Sequence, residues 1–366
     1  MTTMFDCIIV GAGPAGGAAA YHLAKRGHSV LVIEKDTWPR QKPCGGGVSP
    51  AIAQWFDFDF TPAISTTVKK IRYTWKLGDP VETEIVKPMW MVRRDVFDQY
   101  LMQQAVDQGA TLQTQTEVTG IKFKSDRWQV NTNAEPLEAK YLIAADGTKG
   151  PMAQWLGLKQ SKLRQSMIAE FPVSSGQIPT FEFGMVKNGS IWGFPKADSY
   201  SISIATFRGG EPKDLSKDLM QYANKMGMTA SNSMVDHPIC LWDGDKTLHT
   251  QNALIAGDAA SLADPLSAEG IRPSILSGVK AAEAIDQALG GASNALEKYT
   301  QVMQKEWGAD MVWAGNLAGL FYRFPGIGYK VGVKVPVATQ LISKILCGEL
   351  RYADVIDKAK KSLSPF

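Results

Sequence analysis

Near its start the chain reads Gly11-Ala12-Gly13-Pro14-Ala15-Gly16, and Glu34 stands 18 residues after Gly16. These residue types at this spacing suit a dinucleotide. Gly11 lets a strand turn sharply into a helix. Gly13 has no Cβ, so a diphosphate can approach the backbone, and Gly16 lets helix and strand pack closely. The free N–H groups and partial positive charge of the helix N-terminus face the diphosphate. Glu34, at the end of the next strand, can accept hydrogen bonds from a ribose. Two more carboxylates close apolar runs: Asp146-Gly147 after YLIAA, and Gly257-Asp258 after ALIA. A carboxylate at the carboxyl end of a strand lies at the rim where α/β ligands bind and can hold a ribose or ribityl hydroxyl. Either pair alone reads equally well as turn chemistry. Together with the opening motif they point to FAD more than to NAD.

The elements that must position these groups can be read from periodicity. Met4–Val10 is an apolar run of strand length, Gly17–Arg26 is helix-like, and Ser29–Ile33 is a second strand. Residues 66–92 alternate as antiparallel strands. An amphipathic helix is expected over Arg94–Gly109, then short strands near 111–124 and 127–133, and further strands over 166–207. Helices are expected over Lys213–Met226 and over Pro273–Leu289, the latter stopped by Gly290-Gly291. From Glu297 onward the pattern is mostly helical, broken by Pro325-Gly326-Ile327-Gly328. Parallel-type strands at 4–10, 29–34, 141–145 and 253–256 are separated by long β-rich excursions. The expected fold is therefore α/β. A Rossmann-like FAD-binding domain is assembled from separated segments (1–65, 93–165 and 246–296). A mostly antiparallel β-sheet substrate domain (66–92 and 166–245) is inserted in it, and a C-terminal helical region (297–366) follows.

At 366 residues the chain is long enough for two lobes. With 45% hydrophobic and 20% charged residues it has a soluble globular composition, and a net charge of +3 gives no case for nucleic acid. Cys7, Cys44, Cys240 and Cys347 are scattered, which argues against a disulfide framework or structural zinc and fits a reducing, cytoplasmic setting. His22, His28, His237 and His249 fall in no triad order and at no metal spacing, so no metal site is assigned. The N-terminus does not read as a signal peptide, and no uninterrupted apolar run reaches about 18 residues. Residues 311–366 carry eight Lys/Arg against three Asp/Glu, interleaved with Trp313, Phe321, Tyr322, Phe324 and Tyr329.

The chain resembles the FAD-dependent geranylgeranyl reductase family, within a flavoprotein group that includes aromatic hydroxylases and flavin halogenases. The residues that carry the resemblance are GAGPAG with Glu34, PRQKPCGGGVS at 39–49, RRDVFDQYL at 93–101, AADG at 144–147 and LIAGDAASLADPLSAEGI at 254–271. The resemblance implies a p-hydroxybenzoate-hydroxylase-like architecture. It places Ala15, Glu34, Cys44, Gly45, Arg94, Asp258, Gly270 and Ile271 around FAD, with backbone contacts from Val118. Gly270-Ile271 opens the helix ahead of Pro273, so its positive end would favour reduced flavin. Cys44, followed by three glycines, is the candidate catalytic residue. Its thiol either lies over the flavin or is a small packed residue before a flexible loop. Prenyl reductases of the family carry PxxYxWxFP in the substrate domain. Here Trp192, Phe194 and Pro195 match, while Lys187 and Ser190 replace the first Pro and the Tyr. Trp192 and Phe194 are thus the candidate substrate residues, with Trp192 equally readable as a core aromatic.

The function implied is reduction of a C=C bond in an apolar, isoprenoid-like substrate by hydride from reduced flavin, with Cys44 or water giving the proton. No second GxGxxG is present, so the electron donor would be NAD(P)H visiting transiently or a protein such as reduced ferredoxin. A flavin monooxygenase or halogenase, and a lipid-binding protein without redox turnover, are the alternative readings. The C-terminal aromatic and basic residues would either lie peripherally on a membrane, with Arg323, Lys330, Lys334, Lys344 and Arg351 toward the headgroups, or simply cover the substrate domain.

Overall fold

The computed structural model describes residues 4–173, 176–209, 214–228 and 233–355. Lys213, expected to begin a helix, and Lys358, Lys360 and Lys361 of the basic tail lie outside the described residues.

The opening unit forms as its sequence demands. Strand β1 (Met4–Val10) is buried over its last four residues. It runs into helix α1 (Pro14–Lys25), and β2 (Val30–Ile33) returns parallel to β1 with Cys7 opposite Val30. Pro14 begins the helix, where its missing N–H costs nothing. A Cβ on Gly16 would overlap the carbonyl oxygen of Gly11, so only glycine allows this strand and helix to approach so closely.

The first sheet holds strands from distant parts of the chain. Strand β3 (Gly47–Val48), β4 (Thr66–Trp75) and β5 (Gly78–Met91) leave it, and helix α2 (Arg94–Asp107) leads back. Strand β6 (Thr111–Gln113) pairs parallel with β2. The hairpin β7 (Val118–Lys124) and β8 (Arg127–Thr132) precedes β9 (Leu137–Ala144), which lies parallel to β1 on its other side. A short helix α3 (Met152–Trp155) follows. Strands β17 (His249–Thr250) and β18 (Ala253–Ile255) complete the order β17-β18-β9-β1-β2-β6. The four parallel strands expected from separated segments thus lie side by side, and their buried Val, Ile, Leu and Ala side chains form the largest core cluster.

The second sheet takes β3, β4 and β5 and the later strands β11 (Ser166–Pro172), β12 (Thr180–Phe183), β13 (Gly189–Pro195), β14 (Ser199–Thr206) and β15 (Ser233–Asp236). Its order is β15-β11-β14-β13-β12-β4-β5-β3, antiparallel except where β12 meets β4. A two-stranded pair, β10 (Leu163–Arg164) with β16 (Ile239–Cys240), stands apart. Helix α4 (Leu215–Lys225), capped by the Asp214 carboxylate, buries Leu215, Leu219 and Tyr222 against this sheet. β3 directly follows the Cys44 loop, so that loop is tied to both sheets.

Helix α5 (Ile271–Leu289) lies against α1, and Gly278 permits the contact because a Cβ there would overlap the Ala15 carbonyl. It begins two residues before Pro273, since a proline without its N–H is tolerated throughout a first turn. Helices α6 (Ala295–Met303), α7 (Ala309–Arg323), α8 (Pro325–Gly328) and α9 (Pro336–Leu346) follow. The break expected at 325–328 falls instead at Phe324, whose backbone (φ −130°, ψ 62°) is non-helical. Pro325 then opens a new helical turn. Among the described residues no helix is long and apolar enough to cross a membrane.

Candidate active site

The carboxyl ends of β1, β2, β9 and β18 open on one cleft of about 390 Å³. Gly11, at the end of β1, has φ +105°, a conformation that favours glycine. Gly13 caps α1, and a Cβ on it would stand 3.3 Å from Arg40 Nη2. Glu34, 5% exposed, accepts from Ala12 N at 3.0 Å and Arg40 Nε at 3.1 Å through Oε2, and from Asp36 N at 3.1 Å through Oε1. A carboxylate accepts about four hydrogen bonds, so one place remains for a ribose hydroxyl. Arg94, at the start of α2, forks onto Asp98 with two bonds of 2.8 Å, and Arg40 Nη2 reaches the same carboxylate at 3.1 Å. Burial opposes the charge on Arg94, but Asp98 outweighs it and holds the guanidinium above its ordinary value. Burial, with Arg94 and Arg40 acting the same way, lowers the Lys42 ammonium against the pull of Asp258 and Asp98.

Arg40 Nη1 is buried without a hydrogen-bond partner. A buried guanidinium N–H is costly to leave unpaired, and this one belongs to a side chain lying over Gly13. With Arg40, Lys42 and Arg94 in one cleft beside a helix N-terminus, the residues fit a dinucleotide diphosphate.

Of the residues named from sequence, Gly11, Gly13, Ala15, Glu34, Cys44, Arg94, Val118, Asp258, Gly270 and Ile271 line this cleft. Gly16 does not line it; its part is the helix–strand contact. Gly45 lines a second, apolar pocket of about 110 Å³ instead, with Trp192 and Phe194. Three glycines in a row leave the backbone there without side chains, open to a flat ring. The protein's own rings take that place: a Cβ on Gly45 would be 2.9 Å from Phe194 Cδ2 and 3.2 Å from Trp192 Nε1, and one on Gly47 would be 2.9 Å from Phe194 Cε2. Cys44, Gly270 and Ile271 line both cavities, so the two adjoin there. Cys44 is half-buried beside Arg94, and its carbonyl accepts from Lys196 Nζ at 3.5 Å. Lys196 is itself paired with Glu170 at 3.1 Å.

Four residues that bear on the site were not singled out from sequence. Arg40 and Lys42 stand inside the quoted PRQKPCGGG run, and Asp98 inside RRDVFDQYL, so the motifs held the signal. His237 had none. It lines both cavities, and burial, helped by Lys42 and Arg94, depresses its imidazole to about 3, which keeps it neutral. Among the described residues no metal-binding cluster occurs.

Asp146 also lines the cleft. Burial pushes its carboxyl up to about 6 from an ordinary 3.8. Oδ2 accepts from Met152 N at 2.9 Å, and Oδ1 has no partner. The folded chain therefore keeps this proton where the unfolded chain releases it. This group favours folding below its unfolded value and loses that advantage as pH rises through about 6. In the cofactor-free protein Asp146→Asn should gain stability, on the order of 1–2 kcal/mol, at pH ~7.5 and nothing at pH ~3.5. Melting curves of both proteins at the two values check this.

A family model described as FAD dependent oxidoreductase matches residues 6–230. An uncharacterised protein of Methanosarcina barkeri is 33% identical over 295 residues, covering 78% of this chain and 75% of that protein. A digeranylgeranylglycerophospholipid reductase of Methanocaldococcus jannaschii is 27% identical over 315 residues, covering 79% and 78%. The crystal structure of a geranylgeranyl bacteriochlorophyll reductase-like protein from Thermoplasma acidophilum superposes with a TM-score of 0.79 at 21% identity, covering 95% of this chain and 93% of that one. The Rossmann-like cleft and the family match agree: this chain belongs to the FAD dependent oxidoreductases, as an enzyme with geranylgeranyl reductase-like relatives.

Proposed function

We propose that the protein reduces C=C bonds in an apolar, isoprenoid-like substrate. The observation that carries this reading is the apolar pocket, floored by Trp192 and Phe194, that adjoins the cofactor cleft at Cys44, Gly270 and Ile271. The name of the digeranylgeranylglycerophospholipid reductase relative supports the same class. Bound FAD supplies two-electron hydride chemistry. The residues do the rest. Glu34 takes a ribose hydroxyl. Arg40, Lys42 and Arg94 face the diphosphate. The N-terminus of α5 turns its positive end toward the junction of the two cavities. Ile71, Met89, Met91 and Phe181 complete the apolar lining and keep water from the substrate. Cys44, which lines both cavities, would hold a proton for the substrate carbon. The electron donor is NAD(P)H or a reduced ferredoxin-type protein. Purified protein given a reductant and a digeranylgeranyl phospholipid should yield product with two added hydrogens per bond. A product that gains oxygen only when air is present would favour the monooxygenase reading.

The C-terminal helices fit contact with an anionic lipid surface. Leu320, Phe324, Ile327, Val331, Val335 and Val337 are exposed, four of them above 60%. Two of the five cations expected to face headgroups are engaged, Lys334 by Asp79 at 2.8 Å and Arg351 by Asp354 at 3.8 Å. Arg323, Lys330 and Lys344 form no ion pair among the described residues. Each adds about 1 kcal/mol near an anionic surface. On their other side these helices cover the second sheet, where Phe321 and Tyr329 meet Phe183. In flotation assays the protein should rise with anionic vesicles at low salt, and replacing the three cations with Gln should cut binding at least tenfold. Protein that stays in the soluble fraction at low salt would leave these helices as cover alone.

A further inference from the structure

Ser203 is the polar member of an apolar row. Cross-strand pairing sets Ile168 of β11, Ser203 of β14, Trp192 of β13 and Phe181 of β12 side by side across four adjacent strands. Residues paired in this way share a face of the sheet. All four line the apolar pocket. Ser203 has no solvent exposure, and its Oγ makes no hydrogen bond. The same lining holds a second unsatisfied oxygen. Glu269, in the loop before α5, uses Oε1 to accept from Arg272 N at 2.7 Å, while its Oε2 is buried without a hydrogen bond, 3.6 Å from Arg272 Nε. Burial raises the Glu269 carboxyl, against the pull of Arg272 and with the push of Asp264.

A pocket that took only hydrocarbon would leave the Ser203 oxygen unpaired and Glu269 Oε2 with its ion pair to Arg272 but no hydrogen bond, and a buried polar group without a partner is costly. We propose that the pocket is specific for an apolar ligand bearing one hydrogen-bonding oxygen, a hydroxyl or a carbonyl, which the Ser203 hydroxyl binds with the Glu269 carboxyl as second contact. This inference rests on the reading of the pocket as the substrate site and narrows its substrate class. The serine hydroxyl donates or accepts and so can meet either oxygen type; the carboxyl accepts from a hydroxyl when ionised and donates to either type when protonated.

Farnesol, farnesal and farnesene share one branched apolar body and differ in the oxygen. Their binding to the FAD-loaded protein is measured calorimetrically at one fixed detergent concentration. Farnesol, farnesal or both should bind roughly tenfold tighter than farnesene, and Ser203→Ala should remove most of that preference while farnesene affinity and bound FAD stay unchanged. Glu269→Gln, which keeps the shape and a donor, should retain at least part of it. Preference for the alcohol alone or the aldehyde alone identifies the oxygen type. Equal binding of all three by the wild type would overturn the inference and leave the apolar-substrate reading standing. So would a preference that survives Ser203→Ala. If none of the three binds, the substrate reading itself falls and takes the inference with it. The wild-type comparison decides the case even if a variant does not fold.

Discussion

Arg94→Met should yield protein that does not retain FAD. Arg94 does two things at once. It faces the cleft where the diphosphate belongs, and it forks onto Asp98, a carboxylate 2% exposed. Loss of a charged hydrogen bond to the cofactor weakens binding by about 1.5–3 kcal/mol, or roughly 10- to 150-fold. Leaving Asp98 with Arg40 as its remaining partner adds a folding penalty of up to about 3 kcal/mol. The two effects separate in the double variant Arg94→Met with Asp98→Leu, which removes the buried pair together and leaves Arg40 its ion pair with Glu34. That protein should recover most of the lost melting temperature yet still bind FAD weakly. Equilibrium dialysis with FAD, set beside melting curves, distinguishes them. A double variant that binds FAD as the wild type does would show that the Arg94–Asp98 pair only braces α2.

Gly45→Val should spare FAD and disable the apolar pocket. The added side chain would start 2.9 Å from Phe194 Cδ2 and 3.2 Å from Trp192 Nε1. Both rings would have to move, and the movable space beside them is the pocket. Overpacking of this kind costs about 1–3 kcal/mol. Loss of the aromatic floor should lower affinity for an isoprenoid ligand at least tenfold. Gly45 does not line the FAD cleft, so the flavin content should stay within about twofold of wild type. Ligand titration and flavin content on the same preparation read both outcomes. Unchanged ligand affinity would remove Trp192 and Phe194 from the substrate site and return them to core packing.

The local parts of this structure were legible in the sequence. The β1–α1–β2 unit follows from turn glycines and apolar runs within 35 residues, and Glu34 falls where that unit must place an acid. The separated strands β9 and β18 could be assigned because fully buried parallel strands read as continuous apolar runs. Partners across the fold could not be read. Nothing near Asp98 in sequence says that it will hold Arg40 as well as Arg94, and nothing near Ser203 says that it will stand between Ile168 and Trp192. Glycine at 45 and 47 has room for the close approach of rings from β13. Which ring approaches depended on where β13 lands, which the sheet order decides. Five basic residues in the C-terminal segment looked alike in sequence. Asp79, some 255 residues earlier than Lys334, engages one of them.

On the proposed function, reduced flavin in this cleft would deliver hydride to an isoprenoid C=C bond in the adjoining pocket. FAD-loaded protein, reduced under strict exclusion of oxygen and mixed with a digeranylgeranyl phospholipid, tests it directly through the flavin absorbance. The flavin should reoxidise without oxygen, with one double bond saturated for each flavin reoxidised. Flavin that stays reduced until air is admitted, and then yields an oxygenated lipid or no altered lipid, would contradict it.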